Sequence, residues 1–90
     1  MPEQQLQVRI REELAGGNFA DFIRAWHTDE AFVLDFAAFS EPPRMEDDTV
    51  IREATVVSRV RIPPSQVFEL MKALEQQLSA WEKEHPERKS

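Results

Sequence analysis

His27 is the side chain of this 90-residue sequence whose chemistry comes closest to catalysis or metal binding. It stands in the segment WHTDEAFVLDFAAF, next to Asp29 and Glu30. A histidine beside carboxylates can act as a general base or bind a metal. Zinc, however, takes three or four protein ligands at defined spacing, and the other histidine, His85, lies near the end of the chain. We therefore interpret His27 as a turn residue, bonded to a neighbouring backbone or carboxylate group, and predict no metal site.

Asp35 interrupts an otherwise apolar segment and is the second candidate for chemistry. A catalytic carboxylate needs a partner group and a pocket. A structural carboxylate needs only a cation on an adjacent strand. Arg24 and Arg59 are the available cations, so the sequence favours a cross-strand ion pair.

Other catalytic arrangements find no support in the sequence. It has no cysteine, which excludes thiolate nucleophiles and cysteine-based metal sites. Its two glycines, Gly16 and Gly17, are adjacent and form no phosphate-binding loop. No serine stands in a nucleophile context with a histidine. We therefore predict no catalytic residue, no cofactor and no enzymatic activity.

A set of basic and aromatic residues is the candidate binding face. Arg59 and Arg61 alternate along one strand, and Arg24 and Trp26 alternate along another. Proteins that bind single-stranded nucleic acids stack bases on aromatic side chains beside basic ones. The formal net charge of -6 opposes binding to a phosphate backbone. Single-stranded nucleic-acid binding on this face is therefore the alternative function, and a protein partner is the preferred one.

The elements that carry these residues are four predicted strands and one helix. Residues 6–10 alternate cleanly, with Leu6, Val8 and Ile10 on one face. Further strands are predicted over 18–28, 31–39 and 52–62, where β-branched and aromatic residues are frequent. The sequence HTDE predicts a hairpin turn between the second and third strands.

The predicted helix spans residues 63–85 and carries one apolar stripe. The stripe recurs at steps of three and four residues and comprises Val67, Leu70, Met71, Leu74, Leu78 and Trp81. Pro64 suits the first helical position, and Pro86 ends the helix. The sequence thus predicts an α+β fold, a four-stranded antiparallel meander followed by one long C-terminal helix packed on the sheet.

Length and composition predict a single domain over residues 1–90. We expect an ordered core over about residues 5–85, an acidic, proline-rich loop over 40–50, and a frayed C-terminal tail, ERKS. The N-terminus does not resemble a secretory signal, and no apolar run is long enough to span a membrane. With the lack of cysteine, this predicts a cytoplasmic protein without membrane contact.

The predicted sheet has more apolar surface than one helix can cover. Phe32, Leu34, Phe36 and Ala38 form one face of the third strand, and Val33, Asp35, Ala37 and Phe39 form the other, mostly apolar face. Exposed apolar patches usually mark interaction surfaces, and symmetric dimers are the commonest assembly. The sequence therefore predicts a homodimer, with Val33, Phe39 and the off-stripe Phe68 as candidate interface residues.

Several short motifs resemble a widespread family of small bacterial proteins known as a domain of unknown function. The matching segments are Trp26-His27-Thr28, Glu30, Phe32–Phe36, Val57–Arg61 and Lys72-Ala73-Leu74. The resemblance covers the chain from about Leu6 to Trp81, and Pro63 departs from it, because the family tends to have Ser or Thr there. It implies a shared fold and no activity. The function predicted is a non-enzymatic, homo-oligomeric protein-interaction or adaptor module, with chaperone-like polypeptide binding as a variant.

Overall fold

Antiparallel strands followed by one C-terminal helix make up the chain, so the predicted α+β class is confirmed. The structure is a computed structural model that describes residues 3–88. Its main elements are β1 (Phe22–His27), β2 (Phe32–Phe39), β3 (Arg44–Glu46), β4 (Thr49–Ile51), β5 (Ala54–Ile62) and α1 (Val67–Glu84).

Three strands form the main sheet, in the order β1-β2-β5 with β2 in the centre. The HTDE segment is the predicted hairpin turn. The Thr28 N–H donates to the Ala31 carbonyl oxygen at 2.9 Å, and the Ala31 N–H donates to Thr28 Oγ1 at 3.2 Å. This local bonding fixes the pairing of β1 with β2, which sets Arg24 opposite Asp35 and Trp26 opposite Val33. On the other side of β2, Arg59 is opposite Asp35.

A second, two-stranded sheet lies where the sequence predicts only a loop. The strand β3 lies within residues 40–50. It pairs with β4, and a two-residue turn, Asp47-Asp48, joins the two strands. Both turn residues have positive φ, 47° and 66°. Short hairpin turns need this conformation, and aspartate tolerates it better than most residues. The acidic pair that suggested a solvated loop is thus the turn itself.

The predicted first strand, residues 6–10, is wrong. The segment belongs to neither sheet, and Leu6 is 84% exposed. A short 3-10 turn, Glu12–Leu14, and Gly17 at a φ of 71° follow it. The four-stranded meander is therefore corrected to a three-stranded sheet and a separate hairpin, because alternating residues form a strand only where they find a neighbour to pair with.

The helix forms as predicted, but it does not pack on the sheet. A 3-10 turn, Pro64–Gln66, precedes it, and its contacts lie mainly with the short turns at its two ends. No helix residue is buried, and Leu74, in the middle of the apolar stripe, is 59% exposed. Pro63 is extended, with φ -68° and ψ 151°. Because the residue before a proline is held away from helical conformation, the Pro63-Pro64 pair directs the chain onwards from β5.

The described chain is extended as a result. Its radius of gyration is 17.9 Å, whereas a compact domain of this length has about 12 Å. The buried apolar residues are Ala31, Val33 and Ala37. At the C-terminus, Pro86–Arg88 form a 3-10 turn, and residues 89–90 of the tail predicted to fray lie outside the described part. Within residues 3–88, no helix has both the length and the apolar content that a membrane crossing requires.

Candidate functional site

The two faces of the main sheet are the candidate functional surfaces. Successive residues of a strand point to opposite faces, so the register assigns each side chain to a face. We call one the aromatic-basic face; it comprises Phe22, Arg24, Trp26, Val33, Asp35, Ala37, Phe39, Ala54, Val56, Arg59 and Arg61. We call the other the apolar face; it comprises Ile23, Ala25, His27, Phe32, Leu34, Phe36, Ala38, Thr55, Ser58, Val60 and Ile62.

Asp35 organises the aromatic-basic face. Its carboxylate is completely buried and accepts hydrogen bonds from both neighbouring strands. Arg59 donates through Nε to Oδ1 at 2.6 Å and through Nη2 to Oδ2 at 3.0 Å. Arg24 donates from Nε to Oδ2 at 3.0 Å, and the Trp26 indole N–H donates to the same oxygen at 3.4 Å. The predicted ion pair is confirmed with both arginines instead of one.

These contacts keep Asp35 ionised. The hydrogen bonds from Arg59 are the largest influence and hold the pKa of the Asp35 carboxyl well below its usual range, against the burial that raises it. The hydrogen bonds from Arg24 and Trp26 lower it further. In return, Asp35 raises the pKa of the Arg59 guanidinium. A carboxylate held as an anion by three donors is a structural anchor, since it has no proton to give and little basicity to accept one.

The four residues predicted as a binding face do lie together. Trp26 and Arg61 flank Val33 on the two neighbouring strands, as Arg24 and Arg59 flank Asp35. The Arg59 guanidinium lies 5.5 Å from the centroid of a Trp26 ring. These long side chains cover the centre of the face, so that Val33 is only 3% exposed. Their outer surfaces remain open to solvent, and Trp26 itself is exposed.

The three candidate interface residues, in contrast, do not form one surface. Val33 is buried by its own strand neighbours. Phe39 lies at the end of the same face, 5.5 Å from the Phe22 ring, with the Arg52 guanidinium 3.6 Å above it. Phe68 is on the helix, where Lys72 lies 5.1 Å from its ring. The structure therefore places Val33 and Phe39 on the aromatic-basic face and Phe68 on the helix.

The apolar face has no comparable cover. Phe32, Leu34 and Phe36 lie in its centre on β2, and all three remain partly exposed although strands pair on both sides. The neighbouring side chains are short or aliphatic: Ile23 and Ala25 on β1, and Ser58 and Val60 on β5. None of these can reach across a central phenylalanine. Ile23 and Val60 are themselves exposed.

His27 ends β1 at the rim of the apolar face. Among the described residues, its ring packs against Phe32, with centroids 5.4 Å apart, in place of the predicted hydrogen bond. Asp29 and Glu30 lie in the exposed turn. Within residues 3–88, no group of three or more histidine, aspartate or glutamate side chains lies close enough to bind one metal ion.

The family model described as protein of unknown function (DUF3467) matches residues 1–88. The chain belongs to this family. The resemblance inferred from the short motifs is thereby confirmed. No curated protein and no solved structure matches the chain.

Sequence reasoning missed some of the side chains that shape the aromatic-basic face of this DUF3467 chain. Asp21 accepts a hydrogen bond from the Phe39 N–H at 2.9 Å and so extends the pairing of β1 with β2. Arg52 covers Phe39, and the Trp26 N–H binds Asp35. The contact between Trp26 and Asp35 was predictable from the sequence, because a hairpin centred on HTDE places Trp26 and Arg24 beside Val33 and Asp35. The position of Arg52 depends on the β5 register, which carries a bulge between Phe36 and Ala37 and has no signal in the sequence.

Proposed function

We propose that this DUF3467 protein is a non-enzymatic, homo-oligomeric protein-interaction module. The observation that carries the proposal is the uncovered apolar face, with Phe32, Leu34 and Phe36 at its centre. A contiguous apolar surface of this kind on a folded chain marks an interaction site. The same sequence supplies it in every copy, which favours a symmetric pair.

The size of the core supports assembly. Folding must offset a conformational entropy loss of about 1–2 kcal/mol per residue, mainly by burial of apolar side chains. The apolar residues buried in the described chain are two alanines and one valine. Large side chains such as Met71, Leu78 and Trp81 stay exposed. A partner that covers them provides the burial that the single chain lacks.

In such an assembly, the aromatic-basic face remains outside and is the surface offered to a further protein. Tryptophan and arginine are the residues most enriched at the energetic centres of protein interfaces. Trp26, Arg24, Arg59 and Arg61 lie on one face and are pre-oriented by Asp35, which lowers the entropy lost on binding. A protein segment that carries carboxylates beside an apolar side chain complements this face. A cytoplasmic location belongs to the proposal, supported by a sequence without cysteine.

The test of assembly is a charge placed on the apolar face. Leu34→Asp puts a carboxylate at the centre of that face, where a partner would desolvate it without a counter-ion. Light scattering after size exclusion should show an oligomer for the unmodified protein and monomers or unfolded chain for Leu34→Asp. Gln76→Asp, on the side of the helix away from its apolar stripe, is the matched control and should keep the oligomer. A well-folded 10.5 kDa monomer for the unmodified protein contradicts the proposal.

The same variant, combined with an aggregation assay, separates a chaperone-like role from self-assembly. If the apolar face holds unfolded polypeptide instead of a second copy, the protein runs as a monomer and suppresses the aggregation of a reduced, unfolding client protein. Leu34→Asp then removes that suppression. An oligomer that leaves client aggregation unchanged favours self-assembly.

Single-stranded nucleic-acid binding is the second candidate function, and the aromatic-basic face is the observation that favours it. Three arginines surround an exposed tryptophan there, in a chain of net charge -6. Within residues 3–88, Arg61 forms no ion pair. If this face binds single strands, fluorescence anisotropy of a labelled oligothymidine should rise at low salt and fall steeply with added salt. Binding should weaken in Trp26→Ala and in Arg61→Ala. No anisotropy change at low salt rules the candidate out.

A further inference from the structure

We infer that the protein forms a helix-exchanged dimer, in which α1 of each copy lies across the apolar face of the other copy's sheet. This inference rests on the proposed self-assembly and names its geometry. It joins the two unpartnered apolar surfaces of one chain, the helix stripe and the apolar face, through a second copy.

The two surfaces match in length. The helix has 18 residues, which at 1.5 Å per residue gives about 27 Å. The central strand has 8 residues, which at 3.3 Å per residue gives about 26 Å. One helix therefore spans the central strand from end to end.

They also match in chemistry. The stripe is Val67, Leu70, Met71, Leu74, Leu78 and Trp81, and it carries no charge. Among the residues of the apolar face, the one titratable side chain is His27, which stands at the rim against Phe32. Burying one surface against the other therefore leaves no charged group without a partner.

The apolar area that helix exchange would bury is of the size found in stable dimers. Full burial of one apolar side chain removes about 60–120 Å² from water, as judged from its transfer free energy. The six stripe residues and the six large members of the apolar face are at most partly buried in the single chain, so together they still offer on the order of several hundred Å² per copy, a large part of the roughly 800 Å² per partner that stable interfaces bury. Because each copy gives one helix and receives one, the contact closes on itself as a two-fold dimer without leaving an open surface.

The link between β5 and α1 explains why the helix packs on the sheet of the other copy and not on its own. Pro63 is extended and Pro64 opens a 3-10 turn, so the chain has few conformations in which it can reverse after Ile62. The helix thus begins beyond the end of its own sheet. In the single chain, no helix residue is buried, and the helix contacts lie mainly with the turns beside it.

Cysteine cross-linking tests this geometry directly, because the sequence contains no cysteine. Isotope-labelled Ile23→Cys protein is mixed with unlabelled Leu74→Cys protein under conditions that let subunits exchange, and then oxidised. Leu74 is at the centre of the stripe, so it approaches the sheet in either helix direction. We expect most of the exchanged dimer to become a labelled–unlabelled disulfide pair, identified by mass spectrometry. Gln76→Cys, on the opposite side of the helix, should lose that cross-link.

A double variant distinguishes exchange from a helix that folds back. Ile23→Cys/Leu74→Cys chains are diluted into a large excess of unmodified chains and oxidised. Exchange predicts no disulfide within the double-variant chain, whereas a helix on its own sheet gives an intrachain disulfide and overturns the inference. A dimer without either cross-link also overturns the inference but leaves the proposed self-assembly standing. A folded monomer overturns both.

Discussion

The two faces of the main sheet are built from alternate residues of the same three strands, yet only one of them is closed within the chain. On the aromatic-basic face, small or polar residues of β2 are flanked by long side chains. Arg24, Trp26 and Arg59 bend over the centre and leave Asp35 fully buried. On the apolar face the order is reversed, with Phe32, Leu34 and Phe36 in the centre and shorter side chains beside them.

This difference shows that a three-stranded sheet can close a face by itself only when its flanking residues are long enough to reach inwards. Arginine and tryptophan do so because each has an apolar stem and a polar tip. The stem packs over the sheet, and the tip stays in water. A short aliphatic flank would gain by covering a phenylalanine, but it does not extend far enough to lie over the ring. The apolar face therefore needs another element, and the described chain keeps its one helix elsewhere.

The largest difference between the faces is expected from two matched phenylalanine truncations. If a second copy covers the apolar face as proposed, Phe36→Ala should lower the free energy of unfolding by about 3–5 kcal/mol, as for a buried aromatic. Phe22→Ala, on the aromatic-basic face, should cost well under half of that, because Phe22 is exposed in the single chain and the proposed assembly leaves this face outside. Chemical denaturation of both variants measures the difference. Equal losses would mean that the apolar face is not covered.

The next effect concerns the centre of the aromatic-basic face. Asp35→Asn keeps the size of the side chain but removes the charge that Arg59 and Arg24 share. Two cations then face each other over a neutral amide, so the melting temperature at neutral pH should fall clearly. Asp29→Asn, in the exposed turn, is the control and should change it little. A variant as stable as the parent protein would show that the ion cluster adds nothing to folding.

The pH dependence of stability should also report the contribution of ionised Asp35. The pKa of Asp35 lies below its usual value in the folded chain, so the unfolded chain takes up a proton first as the pH falls. The stabilisation from Asp35 is therefore complete above about pH 5 and is lost progressively as the pH falls through about 4 towards the lowered pKa. Denaturation midpoints measured down this range should fall less steeply for Asp35→Asn than for the parent. Parallel curves would contradict the lowered pKa.

The smallest effect is expected away from both faces, in the β3–β4 hairpin. Asp48 has a φ of 66°, where glycine has no steric penalty. Asp48→Gly should leave the assembly unchanged and alter the free energy of unfolding by less than about 1 kcal/mol. A thermal melt checks this. A large loss would assign Asp48 a contact that the turn geometry does not show.

The local features of this fold were predictable from the sequence. The β1–β2 hairpin, the helix and the ion pair of Asp35 each depend on residues that lie close along the chain or opposite each other across one turn. Once HTDE is placed at the turn, strand geometry brings Arg24 beside Asp35. The hairpin at Asp47-Asp48 was missed, because two aspartates suggest solvated loop as readily as a positive-φ turn.

The long-range features were not predictable. Residues 6–10 have the alternation of a strand, and the helix stripe has the period of a packed helix, but neither pattern says which surface will cover it. A sequence encodes apolar faces equally well for its own chain and for a second copy. The choice of Val33 and Phe39 as interface meets the related difficulty that alternation alone does not tell which face the flanking side chains can close.

The mass of the unmodified protein in solution tests most directly whether a second copy covers the apolar face. Sedimentation equilibrium over a dilution series into the micromolar range measures it without a label or a mutation. We expect one folded species with twice the 10.5 kDa mass of the chain, which dissociates only together with loss of its helical circular-dichroism signal. A folded species of 10.5 kDa at every concentration, with its melting temperature independent of dilution, would contradict it.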